Sequence, residues 1–280
     1  MTGVPLISIT DFGFTYAAAD RPALSGIDLE VNAGEYIGII GLNGAGKTTL
    51  GLCLNGVVPA LLPGTITGRI VVGGRDPMTT EVREMAMTVG IVFDDPEAQM
   101  SQPTVGAEIA LGLENLGVPF DEMPGRIAAA LATVGLQGLE DRLPLGLSGG
   151  QQQQLAIAAV LAMRPPIIFM DEPTSGLDPL GKAEVFEIAR RVNRDSGVTI
   201  LIAEHEVEIL AEFADRIVVL DGGRIAFQGT PSEVLSRVEE LAGIGLRPPQ
   251  VTALARILEP TTPILPVTLA ATLDWLAARS

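Results

Sequence analysis

Apolar positions recur along the chain in two rhythms, and the changes between them mark its organisation. Ile7 to Ile9 and Leu24 to Val31 read as strands around a loop containing Tyr16 and Asp20 to Pro22. Tyr36 to Ile40 is apolar throughout, as a buried strand should be, and Leu50 to Val57 reads as a helix. Gly64 to Arg75 resembles a hairpin or edge strand turning at Gly73-Gly74, and Thr88 to Phe93 is another apolar strand, stopped by Asp94-Asp95-Pro96. From there to about Pro144 the spacing becomes helical, over Val105 to Leu116 and Met123 to Val134 with Gly117 to Asp121 between them. Strands return at Ile167 to Met170 and Thr199 to Ala203, each after a helical stretch, which predicts βα units on a mostly parallel sheet. Arg216 to Phe227, broken at Asp221-Gly222-Gly223, predicts a hairpin. Beyond Pro231 the chain is helical and punctuated by prolines, so the expected division is a main unit at 1–230, with a helical insertion at about 94–149, and an extension at 231–280.

Composition narrows the setting. The chain has 280 residues, enough for a full core, and a single cysteine, Cys53, which excludes an intrachain disulfide and is expected to be a small buried hydrophobe in a reducing compartment. Met1 to Asp11 has no basic region followed by an apolar core, and no segment is long and apolar enough for a bilayer span, so a cytoplasmic location is expected. The 47% hydrophobic content and mean hydropathy of +0.38 are high for a free-standing protein and point to a partner interface. The net charge of −16 repels a phosphodiester backbone, which argues against nucleic acid as a partner.

Between the strand Tyr36 to Ile40 and the helix after it stands Gly41-Leu42-Asn43-Gly44-Ala45-Gly46-Lys47-Thr48-Thr49, a phosphate-binding loop in the strand–loop–helix context it requires. Glycines let successive backbone N–H groups turn toward an anion, and the helix N-terminus adds partial positive charge. Lys47 is placed to reach the β- and γ-phosphates, and the Thr48 hydroxyl to ligate Mg²⁺. A second string, Leu147-Ser148-Gly149-Gly150-Gln151, reads alone as a Ser-Gly-Gly helix cap.

Together the two strings resemble the ATP-binding-cassette (ABC) ATPases. The resemblance implies an α/β P-loop NTPase fold: a mostly parallel core sheet, an antiparallel β subdomain, a helical subdomain and a C-terminal helical extension. It makes Ser148 to Gln151 the signature motif, facing the nucleotide of a second chain, so that one chain holds two half-sites. Ile167 to Glu172 then resembles the family's acidic strand end, in which Asp171 holds Mg²⁺ and Glu172 is the general base. Ser175-Gly176-Leu177-Asp178 resembles the D-loop, with Asp178 contacting the opposite half-site. His205, the only histidine, matches the family's switch histidine, as neutral donor and orienter near the γ-phosphate. Tyr16 matches the aromatic that stacks on adenine.

Two departures stand out. Asp94 occupies the position of the family's glutamine; aspartate can still ligate Mg²⁺, but it cannot donate a hydrogen bond to the attacking water and it repels a γ-phosphate. Gln152 and Gln154 stand where the family usually carries basic residues. At branch level, Asp95 to Pro119 and Gly245-Leu246-Arg247-Pro248-Pro249 resemble the ATPases of energy-coupling-factor importers, including the cobalt and nickel type. That implies a second ATPase chain, homo- or heterodimeric, an integral membrane coupling protein and a substrate-capture protein, with this chain peripheral on the cytoplasmic face. Glu97 and Glu108 are expected to receive basic coupling helices. Two alternatives remain open here: a weakly hydrolysing ATP-binding subunit paired with an active paralogue, and a soluble cassette protein outside transport.

Overall fold

The structure is a computed structural model describing residues 4–279; residues 1–3 and 280, at which the two expected units begin and end, lie outside the described residues. In chain order the elements are β1 (Ile7–Tyr16), β2 (Leu24–Val31), β3 (Tyr36–Ile40), α1 (Lys47–Asn55), α2 (Val57–Ala60), β4 (Gly64–Val72), α3 (Val82–Ala86), β5 (Val89–Val92), α4 (Pro96–Gln99), α5 (Val105–Leu116) and α6 (Met123–Val134). After a short 3₁₀ turn at Pro144–Gly146 come α7 (Gly149–Ala162), β6 (Ile167–Asp171), α8 (Pro179–Ser196), β7 (Thr199–Ala203), α9 (Val207–Phe213), β8 (Arg216–Asp221) and β9 (Arg224–Gly229). The tail holds α10 (Pro231–Leu235), α11 (Val238–Gly243), α12 (Gln250–Leu258) and α13 (Leu269–Ala277).

Two sheets result. The larger has the order β5-β6-β7-β3-β8-β9, parallel except for β9, which returns antiparallel on β8 through the Gly222-Gly223 turn. β3, β6 and β7 are buried at every position, which is why they read as unbroken apolar runs. The smaller sheet is antiparallel, in the order β2-β1-β4, so Gly64 to Val72 is an edge strand. Side chains of the large sheet divide between two cores. Ile37, Ile39, Phe169 and Leu201 pack with the small sheet and α1, while Ile40, Met170, Ile200 and Ile202 pack with residues of α5 to α9. Gly51 lets α1 lie on the sheet: a Cβ there would come within 2.4 Å of the Phe169 ring.

Two expected elements differ in extent. β1 continues to Tyr16 instead of stopping at Ile9, so Tyr16 closes a strand and is not in a loop. The alternation changes phase inside it, with Ile7 and Ile9 buried and then Phe12 and Phe14, because a bulge intervenes at Asp11, whose φ is 43°. Gly68 on β4 faces that bulge, where a Cβ would sit 2.1 Å from the Asp11 carbonyl oxygen. The helix after the phosphate loop begins at Lys47 and ends at Asn55, where Gly56 adopts the left-handed conformation that stops it.

The tail is tied to itself and to the core. The Arg256 guanidinium donates to the carbonyls of Ser236, Pro260 and Thr262, and the Ser236 hydroxyl accepts from the Leu265 amide at 2.8 Å. Val234, Leu235 and Leu241 join the core on the helical face of the large sheet. Cys53 is fully buried as expected, and burial pushes its thiol up to about 12.

Candidate nucleotide site

The loop 41–46 leaves β3 at the C-terminal edge of the parallel strands and turns directly into α1. Its glycines are required by crowding and by backbone shape. A Cβ on Gly41 would meet the Leu220 carbonyl oxygen at 2.5 Å, and Gly46 has a φ of 106° against the Ala23 carbonyl oxygen. Thr104, Ser148 and Asp178 cap α5, α7 and α8 with side-chain oxygens, whereas α1 starts at Gly46 with no side-chain cap and no acid in its first turn. Its leading N–H groups are therefore free to receive an anion.

Lys47, only 5% exposed, folds back over this loop. Its Nζ donates to the Gly41 carbonyl at 2.9 Å and lies 3.1 Å from Glu172 Oε1, which His205 Nε2 also approaches, at 2.9 Å. With Nε2–H donating to Glu172, the ring has no lone pair for Lys47, so the 3.4 Å approach of Nζ to Nε2 is a contact of two donors converging on one carboxylate oxygen. Glu172 reaches that position from a left-handed backbone, φ 46°, with its N–H held by the Ala203 carbonyl at 2.8 Å. Burial alone would raise the Glu172 carboxyl, but the Lys47 bond and charge and the His205 ring outweigh it, and the group lies below its ordinary value.

Asp171 ends β6 beside it, 5% exposed, and its Oδ1 has no hydrogen-bond partner. Burial pushes its carboxyl up; the Thr48 hydroxyl bonds to it and opposes the rise, while the Glu172 and Asp94 charges add to it. An orphaned, buried carboxylate oxygen next to a hydroxyl is a donor set suited to a hard divalent cation. Mg²⁺ takes most of its ligands from phosphate and water and needs only one or two from the protein.

Lys47, Thr48, Asp171 and Glu172 line a cavity of about 630 Å³ that also includes Asn43, Gly44, Ala45, Gly46 and Thr49, and His205, outside the lining, reaches it through Glu172. Tyr16 stands at its wall, edge-on to Phe14 at 4.8 Å, with its hydroxyl 3.0 Å from Thr49 Oγ1. Asp94 lines the same cavity, exposed, two residues beyond the end of β5.

The remaining expected residues lie elsewhere. Ser148 caps α7 in a reciprocal box with Gln151, at 3.3 and 3.1 Å, and Gly149 and Asp178 are likewise exposed or at a helix cap outside the cavity. Ser148, Gly149, Gly150, Gln151 and Asp178 therefore do not join Lys47 within one chain. The glutamines after them are structural: Gln153, 1% exposed, donates to the Phe93 carbonyl, and Gln154 to Glu184. Glu108 is largely buried and its Oε2 accepts from the Ser101 and Gln102 amides at 2.8 Å each, so one oxygen is taken up within the chain while the residue lines the groove beside α5 and α7. Sequence reasoning missed Glu204 and Thr174, which hydrogen-bond each other behind Glu172 and His205; the one available signal was an acid beside the lone histidine at a strand end.

Among the described residues no helix is long and apolar enough to cross a membrane. Residues 24–175 match the family model described as ABC transporter. The chain is 40% identical over 252 residues to the energy-coupling factor transporter ATP-binding protein EcfA of Methanothermobacter thermautotrophicus, covering 89% of this chain and 78% of that one. It is 41% identical over 255 residues to a Methanosarcina acetivorans protein provisionally named as an ABC transporter ATP-binding protein, covering 91% of this chain but only 42% of that longer relative. In structure it is similar to cbiO1 of Clostridium perfringens, part of the ABC transporter complex cbiONQ, with a TM-score of 0.76 and 32% identity over 90% of this chain and 99% of that one. The expected fold class is the one observed, and the chain belongs to the ABC transporter family, among its ATP-binding, ATP-hydrolysing members.

Proposed function

We propose that the chain is the ATP-hydrolysing, membrane-peripheral subunit of an energy-coupling-factor importer for a micronutrient, a vitamin or a transition metal ion. The observation that carries the chemistry is the convergence of Lys47 and His205 on Glu172 beside the orphaned Asp171 oxygen. Residues 1–230 form the nucleotide-binding unit in this proposal, with the helical part at about 94–149, and 231–280 the extension.

In the mechanism, the uncapped amides of α1 and Lys47 bind the phosphates of ATP. Thr48 and Asp171 would hold Mg²⁺, which neutralises charge on the transferred group. Phosphate arriving at Lys47 competes with Glu172 for the ammonium, so binding frees the carboxylate to take a proton. Glu172 accepts the proton of the attacking water, a water–phosphorus bond forms, and the bond to the leaving ADP oxygen breaks. His205 orients the water, and Tyr16 supplies a face for the base. Ser148, Gly149 and Asp178, exposed, with Gly150 and Gln151, half-buried, all lie outside the cavity and are placed to complete the site of a second chain. Leu254, Ile257, Leu258, Leu269 and Leu273 leave an apolar surface on α12 and α13 that suits the same dimer.

The importer branch rests on the EcfA and cbiO1 similarities. A groove between α4, α5 and α7, lined by Gln99, Met100, Leu111, Ala156 and Met163, supports docking of a membrane coupling protein. Co-expressed with its membrane partners and reconstituted in vesicles, the chain is expected to drive ATP-dependent uptake of the micronutrient. A chain that hydrolyses ATP yet is never recovered with an integral membrane protein after gentle extraction refutes the importer assignment. The second reading, a weakly hydrolysing subunit beside an active paralogue, is favoured by Asp94 alone, which brings a negative charge into the cavity where phosphate binds.

A further inference from the structure

Behind the site, the two carboxylates that flank His205 make contacts that phosphate binding does not require. Glu204 is 3% exposed, yet each of its oxygens is engaged. Oε1 accepts from the Thr174 amide at 3.0 Å and the Thr174 hydroxyl at 2.6 Å, and Oε2 accepts from the His205 amide at 3.0 Å. A buried carboxylate is tolerated only when donors replace its water, and three do so here. On the other side of the histidine, Glu206 pairs with Lys182 in the first turn of α8. Between those two anchors lie Ser175-Gly176-Leu177-Asp178, and Asp178 caps α8 through the Gly181 amide at 2.8 Å. The same segment is joined to the base, since the Ser175 amide donates to the Glu172 carbonyl at 3.0 Å.

We infer that Glu204 and Glu206 form a clasp that fixes His205 to both ends of the segment Thr174 to Lys182, so that the position of this segment sets the distance between the His205 ring and Glu172. The two acids are positioning residues: neither lines the cavity, and both act through the histidine. A shift of the exposed loop 175–178, such as contact with a second chain would cause, is passed to the ring from both sides at once. A surface carboxylate beside a histidine would give no such link, because it would not be bonded to the segment on which the base is carried. The inference rests on the ATPase assignment for its kinetic consequence, but not for its geometric one.

The test uses the full chain. In Glu204→Gln the amide oxygen still accepts from Thr174, but its NH₂ faces the His205 N–H, donor against donor, so only the histidine end of the clasp is cut. Lys182→Met cuts the other arm at the surface, and Thr174→Ser keeps both donors. At saturating ATP and Mg²⁺, Glu204→Gln is expected to release phosphate at least about tenfold more slowly than wild type with KM changed less than about twofold, and Thr174→Ser to match wild type. The second readout needs no ATP: His205 is the only histidine, so a ¹³C,¹⁵N-histidine-labelled chain gives one ring signal. That signal should be single in wild type and Thr174→Ser, and shifted or exchange-broadened in Glu204→Gln and Lys182→Met as the ring samples further positions. Unchanged ring signals in both variants overturn the clasp, as does a lowered melting temperature with turnover and ring signal intact. Should Glu204→Gln fail to fold, the Lys182→Met ring signal decides. A wild-type chain that releases no phosphate counts against the ATPase assignment instead, and the ring signals still decide the clasp.

Discussion

Replacing Asp171 by Asn should stabilise the chain in the absence of divalent cation while abolishing what Mg²⁺ and ATP add. Asp171 is almost fully buried, its Oδ1 is unpartnered, and Glu172 and Asp94 lie close enough to repel it. Asparagine keeps the shape and the acceptor for the Thr48 hydroxyl but removes the charge. The amide N–H that replaces Oδ1 is also unpartnered, so the gain comes from removing a buried charge that Glu172 and Asp94 repel, and is about 1–3 kcal/mol. At about 2 °C per kcal/mol for a chain of this size, the variant should melt about 2–6 °C above wild type in chelator near neutral pH. The sign follows from linkage. A carboxyl raised in the folded state stabilises fully below its unfolded value of about 4 and loses that contribution as pH rises through the folded value, so the advantage of Asn grows toward neutral pH and vanishes in acid. Adding ATP and Mg²⁺ at a hundredfold excess over Kd should stabilise wild type by about 2.7 kcal/mol and leave the variant nearly unchanged, reversing the order. Thermal melts across pH, with and without MgATP, provide the measurement. An asparagine variant that melts at or below wild type in chelator at neutral pH would refute the claim that this oxygen is an unsatisfied cation ligand.

Two further outcomes follow from the same cluster. Asp94→Gln removes a charge from the phosphate cavity and restores a donor for the attacking water, so steady-state phosphate release should rise by about three- to tenfold; an unchanged rate removes the basis for a weakly hydrolysing subunit. Glu172 is held below its ordinary value chiefly by Lys47 against the effect of burial, so its stabilising contribution is present above its unfolded value and lost as pH falls through the folded one. Glu172→Gln should therefore lose less stability than wild type between about pH 5 and pH 3, as followed by acid titration of the circular dichroism signal.

Legibility differed from element to element for physical reasons. β3, β6 and β7 were plain in the sequence because both faces of a parallel sheet are covered, and the β8–β9 hairpin because its turn needs consecutive glycines at positive φ. β1 was cut short at Ile9 because the bulge at Asp11 reverses which residues face inward, and a period-two pattern cannot be followed across such a break. The residues of the phosphate loop were readable as a string because they are contiguous, and the structure adds that Lys47, Glu172 and His205 meet at one oxygen. Glu108 and Glu204 were not readable in the same way. Glu108 reads as a surface acid able to meet a basic partner and Glu204 carries no motif, and only burial together with the backbone donors Ser101, Gln102, Thr174 and His205 reveals what each carboxylate holds.

The central claim is that Lys47 and Ser148 of one chain serve two different sites, each completed by a second copy or a paralogue. Complementation between inactive variants tests it directly. Lys47→Ala cripples the loop and Ser148→Arg the string that faces the partner's loop, so each full-length chain alone should release almost no phosphate from ATP. In a 1:1 mixture half the dimers pair one variant with the other and carry one intact composite site, and phosphate release should recover to about a quarter of the wild-type rate. A mixture no more active than the sum of its separate components contradicts the account.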